Sequence, residues 1–439
     1  MGKKVYIETY GCQMNVADTE VIFSILAKEG YSRTSEIGEA DLIMANTCSV
    51  RDNAEQRIWG RIAVFDKERE SRPGVVVGIL GCMAERLKDK LLDTGKIDLV
   101  AGPDAYRALP RMLRDISEGP QIEVMLSRSE TYDDIIPVRT DRNGVSAFIS
   151  IMRGCNNVCS YCVVPYTRGA ERSRDPKTIV REACDVFSKG YREVTLLGQN
   201  VDSYLWKDPD GNDVGFAALL GAVAEISPLL RVRFSTSNPQ DISEEVIRTM
   251  AAHPNICRHI HLPVQSGSDP VLERMRRRYT REGYLEKVSM IRSVLPDICL
   301  STDVIAGFCG ETEEDHRLTL SLFSEVGFDA AFMFRYSERP GTLAARKYAD
   351  DVPEEVKIRR LNEIIELQNS LSLESNRRDV GKRFEVLVEG PSKRNGDEFC
   401  GRTTGNKMCV FPASSLKAGD YVDVVVRDCT SATLFCDLA

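Results

Sequence analysis

The most specific chemistry in this sequence belongs to three closely spaced cysteines. Cys155, Cys159 and Cys162 are separated by three and then two residues, and they directly follow a strand-like apolar stretch. This spacing lets one loop bring three thiolates to three irons of a [4Fe–4S] cube, and it leaves the fourth iron open for a small molecule. Zinc is the alternative, but structural zinc sites take four ligands, and no fourth Cys or His lies nearby in the sequence.

Three further cysteines are far apart in the sequence but share one local pattern. Cys12, Cys48 and Cys82 each follow a predicted strand, in Tyr-Gly-Cys-Gln-Met-Asn, Asn-Thr-Cys-Ser-Val and Leu-Gly-Cys-Met. Taken singly, each is better explained as a small buried apolar residue. Because the carboxyl ends of parallel strands face one crevice, the repetition predicts that the three thiols meet there and hold a second cluster.

The 439 residues include 14 cysteines and have a formal net charge of −8. No apolar stretch is long enough to cross a bilayer, and no signal-peptide pattern opens the chain, so we expect a cytoplasmic protein without membrane contact. Thiols stay reduced in that compartment, which favours cluster binding or burial over disulfides. The remaining cysteines lack comparable spacing, and we interpret them as structural: Cys184, Cys257, Cys299, Cys309, Cys400, Cys409, Cys429 and Cys436.

The elements that must position these cysteines begin with an α/β segment. Residues 1–118 alternate between strands and helices, which is typical of an open parallel α/β domain. The predicted strands are 4–10, 41–46, 75–80 and 97–101, and the predicted helices are 18–28, 55–70 and 83–92. Residues 119–146 are rich in charge and lack periodicity, which indicates a linker.

The rest of the chain divides into a second α/β segment and a short all-β segment. Residues 147–376 contain six strand–helix units, which favour a partial or complete β/α barrel, of the (β/α)6 type, over a doubly wound sheet, with its active site at the carboxyl ends of the strands. A long charged helix is predicted at 354–378. Residues 377–439 have short strands separated by Gly, Pro and Asn, which predicts a small antiparallel barrel of the OB-like kind. The predicted strands of the two segments are 147–152, 193–197, 230–235, 259–263, 298–305 and 330–336, then 383–389, 398–403, 408–411 and 421–427.

These motifs resemble those of the radical S-adenosylmethionine (SAM) methylthiotransferases, and the resemblance covers essentially the whole chain. It is most similar to the MiaB-type group, which acts on tRNA. Three strings carry the resemblance: Glu8-Thr9-Tyr10-Gly11-Cys12-Gln13-Met14-Asn15, Asn46-Thr47-Cys48-Ser49-Val50-Arg51 and Cys162-Val163-Val164-Pro165-Tyr166-Thr167-Arg168-Gly169. The resemblance implies a methylthiotransferase domain, a radical SAM barrel and a C-terminal TRAM domain that binds RNA.

The same resemblance implies a reaction, its cofactors and its partners. The reaction is methylthiolation of carbon 2 of N6-isopentenyladenosine at position 37 of tRNA. It uses two [4Fe–4S] clusters and two SAM molecules, one as methyl donor and one as the source of a 5′-deoxyadenosyl radical, with sulfur from the auxiliary cluster. The expected partners are the tRNA anticodon loop, an external electron donor and a sulfur or iron–sulfur supply protein. No catalytic residue is assigned beyond the cluster ligands.

Two alternatives to this function stay open. One is the same chemistry on threonylcarbamoyladenosine of tRNA or on a ribosomal protein, although the string around Cys12 argues against both. The other is a non-catalytic iron–sulfur sensor that binds RNA. Such a sensor needs a cluster but has no need of a six-unit barrel with three cysteines at its mouth.

Polar residues after the strand ends are the candidate SAM contacts. Gln199 and Asn200 stand where many radical SAM enzymes have Gly-Gly-Glu, and the later serines and threonines could equally cap the following helices. The candidate contacts are Tyr161, Gln199, Asn200, Ser235, Ser237 and Gln265, with Ser301, Thr302 and Asp303 as further possibilities for SAM or substrate. The basic run 274–278 could line an RNA groove or be a solvated helix face. In the C-terminal segment the candidate RNA contacts are Lys393, Arg394, Phe399, Arg402 and Asn406.

Overall fold

The structure, a computed structural model, describes residues 2–49, 52–140, 144–208, 210–393, 396–413 and 415–439. Three residues named above, Val50, Arg51 and Arg394, lie outside these ranges. The chain divides into two compact units. The first comprises Met1–Thr140, Met152–Val158 and Cys162–Thr178, and the second comprises Asp141–Ile151, Cys159–Tyr161 and Ile179–Ala439.

A six-stranded parallel sheet forms the body of the first unit, in the order β2-β1-β3-β4-β5-β6. Its strands are β1 Lys3–Thr9, β2 Tyr31–Arg33, β3 Leu42–Thr47, β4 Val76–Gly81, β5 Leu99–Ala101 and β6 Gln121–Glu123. The helices are α1 Gln13–Lys28, α2 Asp52–Ser71, α3 Cys82–Leu87, α4 Asp89–Leu92 and α5 Leu109–Arg114. Apolar clusters pack on both faces of the sheet, so β3 is buried along its whole length, as expected of a central parallel strand.

The predicted elements of this unit differ from the structure at several points, which include the unpredicted helix α5 and the division of the predicted helix 83–92 into α3 and α4. Helix α1 begins at Gln13 rather than at residue 18, because the Asn15 side chain accepts a hydrogen bond from the Cys12 amide and caps the first turn (3.3 Å). Strand β2 was not predicted. The segment predicted as a linker contributes β6 to the sheet and places Tyr132 and Ile135 in its core.

Two short segments complete the first unit. Strand β8, Met152–Arg153, pairs antiparallel with β9, Arg172–Ser173. Helix α6, Val164–Arg168, follows the three closely spaced cysteines and packs against α3. The chain around Cys155 and Cys162 is therefore part of the same unit as the N-terminal sheet.

Six parallel strands of the second unit follow one another as a partial barrel, in two three-stranded sheets joined where β13 meets β14. They are β7 Ser146–Ser150, β10 Glu193–Leu197, β13 Arg231–Ser235, β14 His259–His261, β15 Cys299–Ala306 and β16 Ala330–Arg335. All six lie within about two residues of the predicted strands. The helices are α7 Pro176–Ser188, α8 Phe216–Ala224, α9 Glu244–Ala252, α10 Asp269–Arg274, α11 Arg281–Val294, α12 Glu313–Val326, α13 Leu343–Lys347 and α14 Glu354–Arg377, and a hairpin is formed by β11 Leu205–Lys207 and β12 Asp213–Gly215.

The chain ends in a closed five-stranded barrel, in the order β17-β18-β19-β21-β20. Its strands are β17 Arg383–Pro391, β18 Glu398–Arg402, β19 Met408–Pro412, β20 Tyr421–Cys429 and β21 Leu434–Leu438. Strand β21 was not predicted, and its pairing with β19 is parallel, while the other pairs are antiparallel. Among the described residues, no helix combines the length and the apolar character needed to cross a membrane.

Candidate functional site

Three adjacent strands of the first unit deliver Cys12, Cys48 and Cys82 to one edge of the sheet. Strands β1, β3 and β4 are neighbours and parallel, with Thr47 paired opposite Gly81. Cys48 and Cys82 directly follow β3 and β4, and Cys12 lies in the short loop between β1 and α1. The structure therefore brings together the carboxyl ends that the repeated strand–cysteine pattern predicts.

The loops that carry these cysteines are in close contact. A Cβ atom on Gly11, where φ is +139°, would lie 2.7 Å from the Cβ of Cys48 and 2.4 Å from Asn15 Oδ1, so only glycine fits there. The Cys12 thiol donates to the same Asn15 oxygen at 3.4 Å, and Asn15 Nδ2 donates to the Thr47 carbonyl at 3.1 Å. One asparagine thus ties the first cysteine loop to the second.

The chemistry of this edge fits an iron–sulfur cluster better than a single metal ion. Cys12 is exposed, whereas Cys48 and Cys82 are buried. Within the described ranges, no three Cys, His, Asp or Glu side chains converge closely enough for one ion. A cube of four irons spreads its thiolates further apart, and a set made only of cysteines is typical of such clusters.

A buried network of charges belongs to the same unit. Asp18, on α1, accepts hydrogen bonds from Arg153 Nη1 at 2.7 Å and from Arg168 Nη2 at 2.8 Å. Asp104 accepts two hydrogen bonds from Arg172 Nη2, both at 2.9 Å. The five side chains are at most 4% exposed. Buried charges of this kind persist only when they are paired.

The cysteine loops contribute to the electrostatics of this network. Burial alone would lower the pKa of Arg168, but Asp18 and then the Cys82 and Cys12 thiols hold that pKa well above its ordinary value. Burial raises the pKa of Asp18, and the attraction of Arg153 and Arg168 outweighs it, so the pKa of this carboxyl is lowered. The Arg168 cation thus lies within electrostatic range of two predicted cluster ligands.

Two of the three closely spaced cysteines belong to the first unit. The Cys155 amide donates to the Gly169 carbonyl at 3.1 Å. Cys162 Sγ accepts from the amide of Val164, the first residue of α6, at 3.4 Å. Both cysteines are partly exposed, as ligands of a cluster that meets a small molecule must be.

The third, Cys159, belongs to the second unit and contacts an arginine from the run 274–278. Arg277 Nη1 donates to Cys159 Sγ at 3.3 Å, and its Nη2 donates to the Pro263 carbonyl at 3.0 Å. Burial would lower the pKa of Arg277, but Tyr279, Tyr161 and Cys159 hold it well above its ordinary value. The hypothesis that the run 274–278 lines an RNA groove is wrong for Arg277, because the side chain of this residue points to the Cys159 thiol.

The predicted SAM contacts at the ends of β10 and β13 lie beside each other. The Gly198 amide donates to Ser235 O at 3.1 Å, which joins the two strand ends. Asn200 and Ser237 are 2% and 3% exposed, and Asn200 Oδ1 and Gln199 Oε1 are buried without a hydrogen-bond partner among the described residues. Because buried polar atoms are normally paired, these orphan atoms indicate a polar ligand. The ammonium and hydroxyl groups of SAM supply donors of the required kind.

Asp202 belongs to the same group of side chains and was not predicted. Its Oδ2 accepts from the Asn238 amide at 3.1 Å, and the Ser237 hydroxyl lies near enough to lower its pKa in part. Burial raises the pKa of Asp202 to about 7. No local motif marks this aspartate, since its environment comes from β13 and the loop that follows it.

The remaining candidates near the strand ends have partners within the second unit. Gln265 is 6% exposed and bridges to β15, where its amide donates to Asp303 O at 2.8 Å. The Tyr161 ring packs edge-on against Phe308. Ser301 Oγ is hydrogen-bonded to the rings of His259 and His261, both at 2.9 Å, and Thr302 Oγ1 donates to Leu262 O at 2.9 Å, so neither residue caps a helix.

Known proteins similar to this chain agree with these observations. The family model of the uncharacterized protein family UPF0004 matches residues 4–102, that of the radical SAM superfamily matches 149–323, and that of the TRAM domain matches 377–439. A tRNA-2-methylthio-N(6)-dimethylallyladenosine synthase from Bacteroides thetaiotaomicron is 55% identical over 433 residues, which is 98% of this chain and 95% of the relative. The enzyme of the same name from Phocaeicola vulgatus is 56% identical over 98% of this chain and 95% of its own.

The chain belongs to the tRNA-2-methylthio-N(6)-dimethylallyladenosine synthase family. It is a radical SAM methylthiotransferase with an N-terminal UPF0004 domain, a radical SAM domain and a C-terminal TRAM domain, as the resemblance predicted. Membership of the radical SAM superfamily brings iron–sulfur and SAM as cofactors.

Solved structures support the fold of this methylthiotransferase. The radical SAM methyltransferase TsrM from Kitasatospora setae, with cobalamin and a [4Fe-4S] cluster bound, superposes with a TM-score of 0.60. The two chains are 16% identical, and the match covers 79% of this chain and 74% of TsrM. At this identity the likeness concerns the fold alone.

Within the TRAM domain of the methylthiotransferase, the candidate RNA contacts have different surroundings. Arg402 forms an ion pair with Glu389 at 3.1 Å and donates to the Asn406 carbonyl at 3.1 Å. Phe399 is partly buried and packs against the core of the small barrel, which favours a structural role for its ring. Lys393 lies in the turn before β18, at the border of the described residues.

Proposed function

We propose that this chain methylthiolates carbon 2 of N6-isopentenyladenosine at position 37 of tRNA. Each product would consume two SAM molecules, one as methyl donor and one as the source of a 5′-deoxyadenosyl radical, and the sulfur would come from an auxiliary [4Fe–4S] cluster. The observation that carries the proposal is the convergence of three cysteine loops at one sheet edge, beside a buried cation. Two relatives whose names state this product are more than 50% identical in sequence to this chain.

The roles of the cysteines follow from their two patterns. Cys155, Cys159 and Cys162 would hold the cluster that binds and reduces SAM, and Cys12, Cys48 and Cys82 would hold the auxiliary cluster. When bound, these groups supply an electron for radical formation and an open iron for sulfur, which an unactivated C–H bond requires. A closed cleft protects such reactive species from water.

The protein side chains around SAM would bind and orient it. Gln199 and Asn200 offer buried acceptors for the SAM ammonium group, and Ser237 offers a hydroxyl. Asn200 is itself oriented, because its Nδ2 donates to Asp241 Oδ2 at 2.6 Å. Tyr161, Ser235 and Gln265 are proposed as further SAM contacts.

The organisation and partners of the protein complete the proposal. We assign residues 1–118 to the methylthiotransferase domain, 119–146 to a connecting segment whose strand β6 extends the sheet of that domain, 147–376 to the radical SAM barrel and 377–439 to the TRAM domain. We expect the anticodon loop of tRNA, an external electron donor and a sulfur or iron–sulfur supply protein as partners, in the cytoplasm. An anticodon loop suits the reaction, since its bases leave their stack at low energetic cost.

A single assay tests the reaction and the substrate together. Anaerobically reconstituted protein is mixed with SAM, a reductant and tRNA that carries either adenosine or isopentenyladenosine at position 37. The digested nucleosides are then weighed by mass spectrometry. A methylthio-isopentenyladenosine product, absent when plain adenosine is offered, is the expected result.

The alternatives predict other outcomes of this assay. SAM cleavage without a methylthio nucleoside would retain the radical chemistry and move the substrate to threonylcarbamoyladenosine or a ribosomal protein. Iron binding without any SAM cleavage would contradict the enzyme proposal and favour a sensor.

A further inference from the structure

One nitrogen of Arg168 is buried without a hydrogen-bond acceptor. The side chain of Arg168 is 4% exposed, and its Nη2 donates to Asp18 at 2.8 Å. Its other terminal nitrogen, Nη1, has no partner among the described residues. A buried guanidinium N–H that lacks an acceptor is costly, because it has lost water without replacement. An acceptor absent from the polypeptide would account for it.

The charges around Arg168 do not balance. Three guanidinium groups, of Arg153, Arg168 and Arg172, share two carboxylates, of Asp18 and Asp104. The cations of this ion-pair network therefore outnumber its carboxylates by one, and the further buried carboxyl near Asp104, that of Glu85, has its pKa raised by burial and so compensates the excess less than a free carboxylate would. Burying an unpaired charge is strongly unfavourable, so an anion is expected next to the network.

The position of Arg168 identifies the side on which that anion lies. Arg168 is the last residue of α6, and α6 packs against α3, whose first residue is Cys82. Its partner Asp18 is on α1, which begins directly after Cys12. Cys82 thus begins the helix that packs against α6. Cys12 directly precedes the helix that carries Asp18, the ion-pair partner of Arg168.

We propose that Arg168 Nη1 donates a hydrogen bond to a sulfur of the auxiliary cluster and thereby stabilises the reduced, more negative state of that cluster. This inference rests on the proposed assignment of Cys12, Cys48 and Cys82. A cube held by three thiolates is the acceptor and the anion that the network lacks. Hydrogen bonds to cluster sulfurs and nearby charge are known determinants of reduction potential.

The placement of Arg168 also links the two cluster segments. Cys162, a ligand of the radical SAM cluster, directly precedes the segment that forms α6, and Arg168 ends the same helix. A short stretch of chain would therefore bind one cluster and set the potential of the other. Arg168 is accordingly a positioning residue, since it contacts a ligand set rather than the substrate.

The test measures the reduction potential of the auxiliary cluster alone. In a full-length parent in which Cys155, Cys159 and Cys162 are all replaced by Ala, only the auxiliary cluster is expected to assemble. Its midpoint potential is followed by electron paramagnetic resonance during a redox titration, before and after Arg168→Met or Arg168→Lys. With Arg168→Met, we expect the equilibrium constant for reduction of the auxiliary cluster to fall at least tenfold. This corresponds to a fall of about 59 mV in the midpoint potential of a one-electron couple. Arg168→Lys should give a smaller fall in the same direction.

A matched control is the same conservative change at Arg172. This buried arginine pairs with Asp104, and the charges that shift its pKa include no cysteine, so Arg172→Lys should leave the potential unchanged. Equal potentials in the Arg168 and Arg172 variants would overturn the inference. Loss of iron from both Arg168 variants but not from Arg172→Lys would also overturn it, in favour of a role in assembly. A parent without iron would instead overturn the cluster assignment itself, and the inference with it.

Discussion

Buried polar atoms with no hydrogen-bond partner among the described residues occur in both units. In the first unit they include Arg168 Nη1, a donor near the Cys82 and Cys12 side chains. In the second unit they include the acceptors on Gln199 and Asn200. The two groups are complementary to different ligands, since a donor suits an anionic cluster and the acceptors suit the cationic amino group of SAM.

Single substitutions in the two cysteine sets should abolish different steps of the reaction. Cys155→Ala should abolish SAM cleavage, because a cluster that loses a ligand cannot bind and reduce SAM. Cys12→Ala should preserve 5′-deoxyadenosine formation but abolish the methylthio product. Both products are quantified by chromatography and mass spectrometry, together with iron content. Cys184→Ala, at an exposed cysteine on α7, is the control and should retain both activities; loss of cleavage in Cys12→Ala would contradict the separation.

The buried Asp202 carboxyl should make the free energy of unfolding depend on pH. Burial raises its pKa from 3.8 to about 7, so the folded protein holds this proton more tightly than the unfolded chain does. The contribution of Asp202 to stability is therefore complete below about pH 4 and is lost progressively up to about pH 7, as linkage requires. Asp202→Asn cannot ionise, and its amide oxygen can still accept from Asn238.

The measurement is the thermal unfolding midpoint of protein without SAM at pH 5 and at pH 8. At pH 8 the unfolding midpoint of Asp202→Asn should exceed that of the parent by several degrees more than it does at pH 5. Asp213→Asn serves as control, because this carboxylate on β12 is 51% exposed and its replacement removes a surface charge rather than a buried one. An equal difference at the two pH values would refute a raised pKa for Asp202.

At the scale of elements, the turn between β1 and α1 permits no side chain. Gly11→Ala would place a methyl group 2.7 Å from Cys48 Cβ in a backbone conformation with φ of +139°. The conformation alone costs an alanine about 1–3 kcal/mol, and the contact pushes two cysteine loops apart. We expect loss of the auxiliary cluster, seen as reduced iron content, with SAM cleavage retained.

Gly119→Ala is the matched control for this turn. Gly119 has a similar φ of +135°, but nothing lies within 4 Å of the added methyl group. It therefore imposes the backbone strain without the contact. If both variants lost the same amount of iron, strain rather than the approach of the two loops would be responsible.

Sequence patterns predicted the elements that carry their own local signal. The six barrel strands and the cysteines after β1, β3 and β4 follow from apolar periodicity and from the position of each cysteine after its strand. Strands β2 and β6 have three residues each, Tyr31-Ser32-Arg33 and Gln121-Ile122-Glu123, with too few apolar side chains for a periodic pattern to mark them. The Arg153–Asp18 pair joins residues 135 positions apart, and the pKa of Asp202 depends on its burial, so neither could be predicted without the fold.

Over the whole second unit, two barrels are joined by buried arginines. Arg231, on β13, donates to the carbonyl oxygens of Arg402 at 2.7 Å and Glu385 at 3.0 Å, and its guanidinium stacks on the ring of Tyr421 at 5.0 Å. Arg233 donates to Thr403 O at 2.8 Å. The TRAM barrel therefore docks on the radical SAM barrel through these arginines, which donate to backbone carbonyls and, from Arg231, also to the Glu385 carboxylate at 3.0 Å.

Removing this joint should destabilise the second unit and weaken the use of tRNA. Arg231→Met keeps the apolar stem but leaves two backbone carbonyls without their donor, at about 1–3 kcal/mol for each buried acceptor. We expect the thermal midpoint to fall by several degrees and the KM for tRNA to rise, since the TRAM domain would no longer be held in place. The rate of SAM cleavage without tRNA should be unchanged, because Arg231 contacts none of the proposed SAM-binding residues.

Arg383→Met in the same small barrel is the control for this joint. Arg383 is 62% exposed and, among the described residues, forms an ion pair with Asp423 at the surface, an interaction that contributes little. Its replacement should leave both the midpoint and the KM unchanged. A normal midpoint in Arg231→Met would show that the hydrogen bonds to the TRAM backbone do not support docking. A lowered midpoint with an unchanged KM would show that docking stabilises the chain but does not serve RNA binding.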